Sequence, residues 1–499
     1  MRDERKLILL FCAVAAVRVL IFSAVFPFFN NVDEQAHVDL VMKYARGQVP
    51  RELGHYSPES ANYISLYGTP EYFMTPQQFS ANDFPPPNWK LPIEQREDVV
   101  NRTSTWWLAN ENHESGEPPL YYTIAGLWLN LGRVCGITGA WSLYWIRFFN
   151  MFVAAFLVWV GFVAARLVFP DRRFICLGVP LLLAVWPQTT FYSITSDSLS
   201  PLCFGVAFIG LVRLLRTEAP NLLLAIGTGL AIAATCLVKT TNIVLLLVAG
   251  LAVIFQIRSH SHIGALRPHL ASVAALIGSA VIPIALWFTW NLHTFGDLTA
   301  TASKIDFLGW THKPPRNWWP HPIFTLNGLR EFWPELIASF WRGEFIWHGK
   351  RLALPATDAF CWIFSTLAIG LAVIGLFPRR TKFTTFQRRS LWLAFSSFAV
   401  LVFLVVILSI AFDFGPCVYP SREHPFFTSG RLLNGAAVPF FILCCTALDC
   451  WIPRARPRII LFAAMVLFII ISQSVANCPA FSSRYNFLHL RITDYTSGT

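Results

Sequence analysis

The chain has 499 residues, 55% of them hydrophobic and only 13% charged, with a net charge of +11. That is too apolar for a soluble globule of this length. The positive balance does not mark a nucleic-acid binder, because the basic residues lie in short clusters between apolar runs, as orientation signals do. Several runs reach about 20 residues, enough to cross a roughly 30 Å hydrocarbon core and too long for spanning strands. The fold class is an all-α polytopic membrane protein with about eleven transmembrane helices.

The first span is predicted over 7–28. Its apolar stretch outruns the core of a signal peptide, and Phe26-Pro27-Phe28-Phe29 is no small-residue cleavage site. Residues 29–141 follow as a long loop holding 13 of the 28 acidic residues. A helix is predicted there from about Glu34 to Arg46. The apolar stretch Pro118 to Leu131 is too short to cross, so it suits a helix lying in the interface. Further spans are predicted over 142–169, 174–191, 197–215, 221–238, 241–257 and 269–290. A second long loop, 291–352, carries Trp318, Trp319, Trp333, Trp341 and Trp347, a composition that suits interfacial anchoring or stacking on sugar rings. The last spans are predicted over 353–377, 391–412, 433–452 and 459–476.

Arg2, Arg5 and Lys6 place the N-terminus inside. Alternation then puts every basic cluster between spans on that side: Arg172-Arg173, Arg213 with Arg216, Arg258 with Arg267, Arg379 through Arg389, and Arg454 through Arg458. Both long loops and the C-terminus fall outside. With no internal repeat, residues 1–499 read as a single membrane domain. The eleven cysteines show no CxxC spacing, and most are packing residues within spans. Cys417 and Cys478 both fall outside, which leaves a disulfide between them open.

Carboxylates at a membrane boundary cost free energy unless they are solvated, paired or working. Asp33 and Glu34 sit where the chain leaves the first span. Asp33 would cap the following helix, with Glu34 adding first-turn charge. The same pair also suits general-base work on an acceptor hydroxyl. His37 lies one turn beyond and shares the face of Asp33. Two or three ligand types on one turn are a weak metal signal, which leaves a divalent metal open but not favoured, and no cofactor is expected. In Glu117-Pro118-Pro119-Leu120-Tyr121-Tyr122, the prolines start a helix with an acidic residue at its mouth. Asp197 lies on a short outer turn, where it either caps the next helix or joins Asp33 at the same depth. Cations at that level are few: Arg147, Lys239 and Arg431. Each either snorkels to the interface or neutralises a lipid-linked phosphate.

These pieces resemble the GT-C superfamily of integral-membrane glycosyltransferases, in particular the protein O-mannosyltransferase and lipid A aminoarabinose-transferase branch with its bacterial relatives. The resemblance is carried by Asp33-Glu34 with His37, Glu117 through Tyr122, Arg147-Phe148-Phe149, Thr195-Ser196-Asp197-Ser198, Leu237-Val238-Lys239-Thr240 and Ser429-Gly430-Arg431-Leu432, in the family's order. It implies a GT-C-like bundle with interfacial helices in the first outer loop. It also implies a polyprenyl-phosphate sugar donor and inverting transfer on the outer face of a bacterial inner membrane, with Asp33 as the catalytic residue. On that reading Glu34 is the next catalytic candidate. His37, Glu117, Tyr121, Arg147, Asp197, Lys239 and Arg431 would bind substrate, and the partners are the lipid-linked donor and membrane lipids. The chain departs from the mannosyltransferase branch at Glu117, and its second loop holds no soluble sugar-binding domain.

Two other classes use similar parts. A flippase for lipid-linked glycans would place charges or broken helices near the midplane, whereas the spans here are nearly free of charge. A glycan polymerase would use the same donors without needing an acidic pair after the first span.

Overall fold

The computed structural model describes residues 2–30, 33–69, 76–81, 85–217, 219–260, 266–347, 350–377, 383–417, 419–481 and 483–488. Residues 489–499 of the expected outer tail, and residues 378–382 in the basic cluster near Arg379, lie outside the described residues.

The first span is helix α1 (Arg2–Val25). It stops as Phe26 precedes Pro27, because a residue before proline is disfavoured in the α region. The first loop holds α2 (Glu34–Ala45), α3 (Pro58–Tyr67), α4 (Pro76–Ser80), α5 (Ile93–Ala109) and α6 (Pro119–Val134). The chain then runs through α7 (Ala140–Val168), α8 (Arg173–Val185), α9 (Ser200–Arg216), α10 (Leu222–Val238), α11 (Leu245–His260) and α12 (Leu266–Phe295). The second loop carries α13 (Ala302–Phe307) and α14 (Leu326–Arg342). Helices α15 (Pro355–Gly375), α16 (Thr385–Ala411), α17 (Ala437–Trp451) and α18 (Ala455–Phe481) complete the bundle.

Among the described residues, nine stretches are long and apolar enough to cross a membrane, and α8 and α10 are shorter apolar helices. A helix therefore stands at each predicted span. The third ends early, at Val185 rather than 191, because Trp186 precedes Pro187. The chain continues there in short 3-10 turns at Thr189–Tyr192 and Ser196–Ser198. Helix α17 is likewise preceded by a 3-10 stretch, Gly430–Ala436. These tight, polar stretches lie between apolar helices, and they deliver Asp197 and Arg431.

One continuous hydrophobic core runs from Ala15 to Ala480. Helix α1 packs along α7, α10 along α12, and α2 along α6. Large apolar side chains such as Leu223, Leu286 and Phe403 point outward, as lipid-facing residues do. The tryptophans of the second loop correct the interfacial and sugar-stacking reading. Trp341 is buried and donates to Ser365 Oγ at 2.9 Å, and Trp333 donates to Thr366 Oγ1 at 2.7 Å, so both fasten the loop to α15. Of the five, Trp319 is the broadly exposed one. All eleven cysteines are free, which removes the Cys417–Cys478 disulfide.

Ion pairs mark the end of the bundle where α1 begins. Glu4 meets Arg166 at 3.1 Å, and Asp449 meets Arg172 at 2.6 Å. The acidic residues of the first loop gather at the other end. There the chain at Gly430 passes tightly against α14, and a Cβ at 430 would lie 2.0 Å from the backbone nitrogen of Phe340. Only glycine permits that approach. Gly430→Ala should therefore cost about 1–3 kcal/mol by overpacking and displace its neighbour Arg431. A thermal unfolding midpoint equal to wild type would refute this.

Candidate functional site

A buried ion pair builds the floor of the site. The guanidinium of Arg147, on α7, donates to Glu34 Oε1 at 2.8 Å and to Oε2 at 2.7 Å. Its remaining N–H groups go to the carbonyls of Ser23, Phe26 and Pro27 at 3.2, 2.7 and 2.9 Å. Those carbonyls belong to the end of α1, where a helix leaves acceptors without intrahelical partners. Glu34 also accepts from the backbone N–H of Phe29 and of Ile194, each at 2.9 Å. Both side chains are 1% exposed. The sequence expectation sets Glu34 in catalysis and Arg147 on a phosphate; in the structure each is the other's partner. All five donors of the guanidinium are used within the fold, and the carboxylate is enclosed with them.

Asp33 precedes α2 with φ 63°, a left-handed conformation uncommon outside glycine. Its backbone carbonyl accepts from Ala36 and His37 at 3.0 and 3.1 Å, but its side chain does not cap the helix. The carboxylate instead meets Arg431 Nη2 at 3.1 Å and His113 Nε2 at 3.3 Å. It remains 20% exposed. Burial works against its charge, but the bond to His113 and the charges of Arg431 and Lys304 hold it well below the ordinary carboxylate range.

Asp197 does not cap α9 either. Buried, it accepts from Lys239 and from Thr195 Oγ1, and lies 3.5 Å from Arg431 Nη1. Lys239 ends α10 and Arg431 lies in the 3-10 stretch before α17. The two cations expected at the outer rim thus converge on one carboxylate. Arg431 also donates to Ser429 Oγ at 3.2 Å, and its Nε lies 3.6 Å from Glu344 Oε2.

His37 and Tyr121 lie behind this cluster rather than in it. His37 Nδ1 is 2.7 Å from the Tyr122 hydroxyl, and its Nε2 is 3.3 Å from Thr195 Oγ1. Burial pushes the imidazole down to about 4, so it is neutral at ordinary pH. Tyr121 is buried against Tyr122. Both residues, expected from sequence to contact substrate, support the Thr195–Asp197 turn in this structure.

Glu117 reaches the cluster from the mouth of α6, with Oε1 3.9 Å from Lys304 Nζ. Burial, then the charge of Glu114, pushes its carboxyl up to about 7. Glu114 accepts from Lys304 Nζ at 2.6 Å and lies 3.5 Å from His113. The 112–117 segment is pinned to α2 through Asn112, which donates to Asp39 Oδ2 at 2.8 Å and to the Ala36 carbonyl at 2.9 Å. Lys304 comes from α13. The Phe307 ring stacks on His113 at 5.4 Å, and Gly116 meets Ala300 so closely that a Cβ would sit 2.7 Å from it. In this way the second loop closes onto the first.

His113, Glu114, Lys304 and Glu344 escaped the sequence reading. His113 and Glu114 adjoin the Glu117 motif, and an acidic residue beside a histidine just upstream of it was the available signal. Lys304 and Glu344 lie in a loop whose docking no local pattern reveals.

Asp33, His113 and Glu114 each offer one ligand atom, all within 4.8 Å of one another, and could hold a metal ion. Lys304 already neutralises Glu114 there, and Arg431 neutralises Asp33. The cluster as a whole sets five carboxylates (Asp33, Glu114, Glu117, Asp197, Glu344) against Arg431, Lys239 and Lys304, where the two loops meet.

The fold is that of an integral membrane protein of many helices with a polar cluster at one end of the bundle. A family model described as "Predicted membrane protein (DUF2142)" matches residues 17–417, and the chain belongs to that family. No curated protein matches it. Among solved structures it is similar to the archaeal oligosaccharyltransferase AglB from Archaeoglobus fulgidus in complex with an inhibitory peptide and a dolichol-phosphate. The identity is 12% and the TM-score 0.41, covering 94% of this chain and 56% of that one. The chain thus spans just over half the length of that enzyme. It is also similar to ArnT from Cupriavidus metallidurans bound to undecaprenyl phosphate, at 13% identity and TM-score 0.31, covering 87% of this chain and 76% of that one.

The pairing of Arg147 with Glu34 makes a direct prediction. Arg147→Met strands the Glu34 carboxylate in a dry interior and should cost about 3–5 kcal/mol. Size-exclusion chromatography and thermal unfolding should show loss of the folded species. Stable Arg147→Met protein impaired only in binding a polyprenyl phosphate would return Arg147 to the ligand-contacting set.

Proposed function

We propose that the protein is a glycosyltransferase that moves a sugar from a polyprenyl-phosphate donor to an acceptor hydroxyl on the outer membrane face, inverting the anomeric centre. The single observation that carries the reading is Arg431, held between Asp33 and Asp197 with Lys239 beside it, where the two long loops meet. A base and a phosphate-binding cation thus stand in contact, at the end of the bundle opposite the basic clusters. The ordered motifs shared with GT-C enzymes support the same assignment.

The reaction is one in-line displacement. The acceptor oxygen bonds to the anomeric carbon, its proton passes to Asp33, and the bond from that carbon to the phosphate oxygen breaks. The lipid phosphate leaves with its charge neutralised by Arg431 and Lys239. In the resting protein Asp33 is a weak base, because burial is outweighed by His113, Arg431 and Lys304. A phosphate that draws the guanidinium toward itself removes one of these, and the basicity of Asp33 rises as the donor arrives. The strained backbone at Asp33 fits a position retained for chemistry.

Asp33→Asn keeps the shape, and asparagine tolerates the left-handed conformation. Transfer from an undecaprenyl-phosphate sugar should fall about 10²–10⁴-fold with unfolding temperature unchanged. Turnover near wild type would remove Asp33 from the chemistry. Lipid translocation without turnover in the wild type would favour the flippase reading.

Asp33, His113 and Glu114 are the residues that would hold a divalent ion. With Lys304 and Arg431 already on these carboxylates, transfer should persist in a chelator such as EDTA. Chelator-sensitive turnover restored by Mn²⁺ would instead give those three residues a metal.

A further inference from the structure

Glu344 follows α14 and Gly343, whose φ of 85° and crowding against Thr189 and Gln188 admit no side chain. The carboxylate is thereby placed where the two loops meet, 8% exposed. Its Oε2 lies 3.6 Å from Arg431 Nε, and Oε1 is buried with no hydrogen-bond partner. The groups that face it are Arg431, the Ser429 hydroxyl, Asp197, Arg342 and the Tyr419 hydroxyl.

Three carboxylates share the Arg431 guanidinium, and they are not equally held. Asp197 has Lys239 as a second cation, and Asp33 has His113. Arg342, the other cation near Glu344, is committed to Asp358 at 3.0 Å. A phosphate approaching Arg431 meets repulsion from all three, and Glu344 is the one that can be neutralised without unmaking another ion pair.

We propose that Glu344 sets phosphate affinity at Arg431: ionised, it competes with a polyprenyl phosphate for the guanidinium, and neutral, it yields the guanidinium to it. This rests on the reading of Arg431 as the phosphate-binding cation. One proton from solvent settles on Glu344 as the phosphate binds, and no covalent bond changes. Burial raises the proton affinity of this carboxyl above the ordinary value, outweighing the lowering by Arg431 and Ser429, so its neutral form extends to higher pH.

The test measures farnesyl phosphate and inorganic phosphate binding to the full chain in detergent at pH 5.5 and 8.0. At pH 8.0 Glu344→Gln should bind farnesyl phosphate about tenfold or more tighter than wild type, the scale of one charge-assisted contact. The difference should shrink toward pH 5.5, because the raised proton affinity of wild-type Glu344 increases its neutral fraction as pH falls. The phosphate's own titration is common to both proteins and cancels. Glu344→Ala carries the same expectation should the Gln variant not fold. Weaker binding by both variants at pH 8.0 would make Glu344 a mere support for Arg431 and overturn the proposal, as would a difference independent of pH. Binding by wild type that Arg431→Ala leaves unchanged, or no saturable binding, defeats the phosphate reading itself and this proposal with it. Farnesyl phosphate far outcompeting inorganic phosphate supports the lipid as the source, and equal affinity overturns it.

Discussion

The contact between Glu34 and Arg147 is the constraint from which the end of the bundle that carries the two long loops is built. It joins four pieces of chain: the last carbonyls of α1, the first residue of α2, the upper part of α7 and the turn at Ile194. A buried pair is weak evidence of stability against an apolar replacement, but it is strongly directional. Five N–H groups in one plane can satisfy these acceptors in only one arrangement. That arrangement fixes where the chain leaves the first span, and so fixes Asp33, one residue before Glu34. It also fixes the turn that carries Asp197. Asp33 and Asp197, two of the three carboxylates that meet Arg431, are therefore positioned by a pair that takes no part in meeting it.

The same logic repeats at the rim. Asp39, fully buried on α2, accepts from Ser57 N at 2.8 Å, Ser60 Oγ at 2.6 Å and Asn112 Nδ2 at 2.8 Å. It thereby holds α3 and the 112–117 segment against α2. His37 does the corresponding work between α6 and the Thr195 turn. Helix α2 thus spends its polar side chains on the inside of the loop, in short contacts to three separate segments. Such contacts fasten α3 and the 112–117 segment to α2, beside its apolar contacts at Val38, Leu40 and Val41.

Much of this was legible in the sequence, and the division has a physical cause. The spans could be read because lipid leaves apolar runs no alternative to helices. Asp33, Asp197, Lys239 and Arg431 could be read because a charge beside an apolar run is conspicuous. Glu34 and Arg147 carry the same signal, and the structure pairs them with each other. Local pattern marks a costly charge but does not say whether its partner is a ligand or another residue of the chain, here 113 positions away. Lys304 and Glu344 carried no signal. Lys304 is positioned by α13 meeting the first loop and Glu344 by α14 packing on α15 and the Gly430–Ala436 stretch, and the buried Trp341 that fastens α14 to α15 looks in sequence like an interfacial anchor.

What the cluster accepts follows from its charge balance. Five carboxylates face three cations and one histidine whose proton affinity is raised despite burial, through its bond to Asp33 and the charge of Glu114. Even with the histidine protonated, an anion entering this cluster adds to an excess that is already negative. Binding must therefore take up positive charge or surrender negative charge somewhere nearby. Glu117 and Glu344 are the carboxyls that burial already pushes toward neutrality. They stand on opposite sides of the pairs that hold Asp33 and Asp197, one beside Lys304 and one beside Arg431. A phosphate bound at Arg431 changes the field at Asp33 most directly, because the two side chains share a hydrogen bond. On the proposed reading one guanidinium links the leaving group to the base, and the bond to His113 with the charges of Arg431 and Lys304 outweighs burial and keeps that base weak until a phosphate engages Arg431.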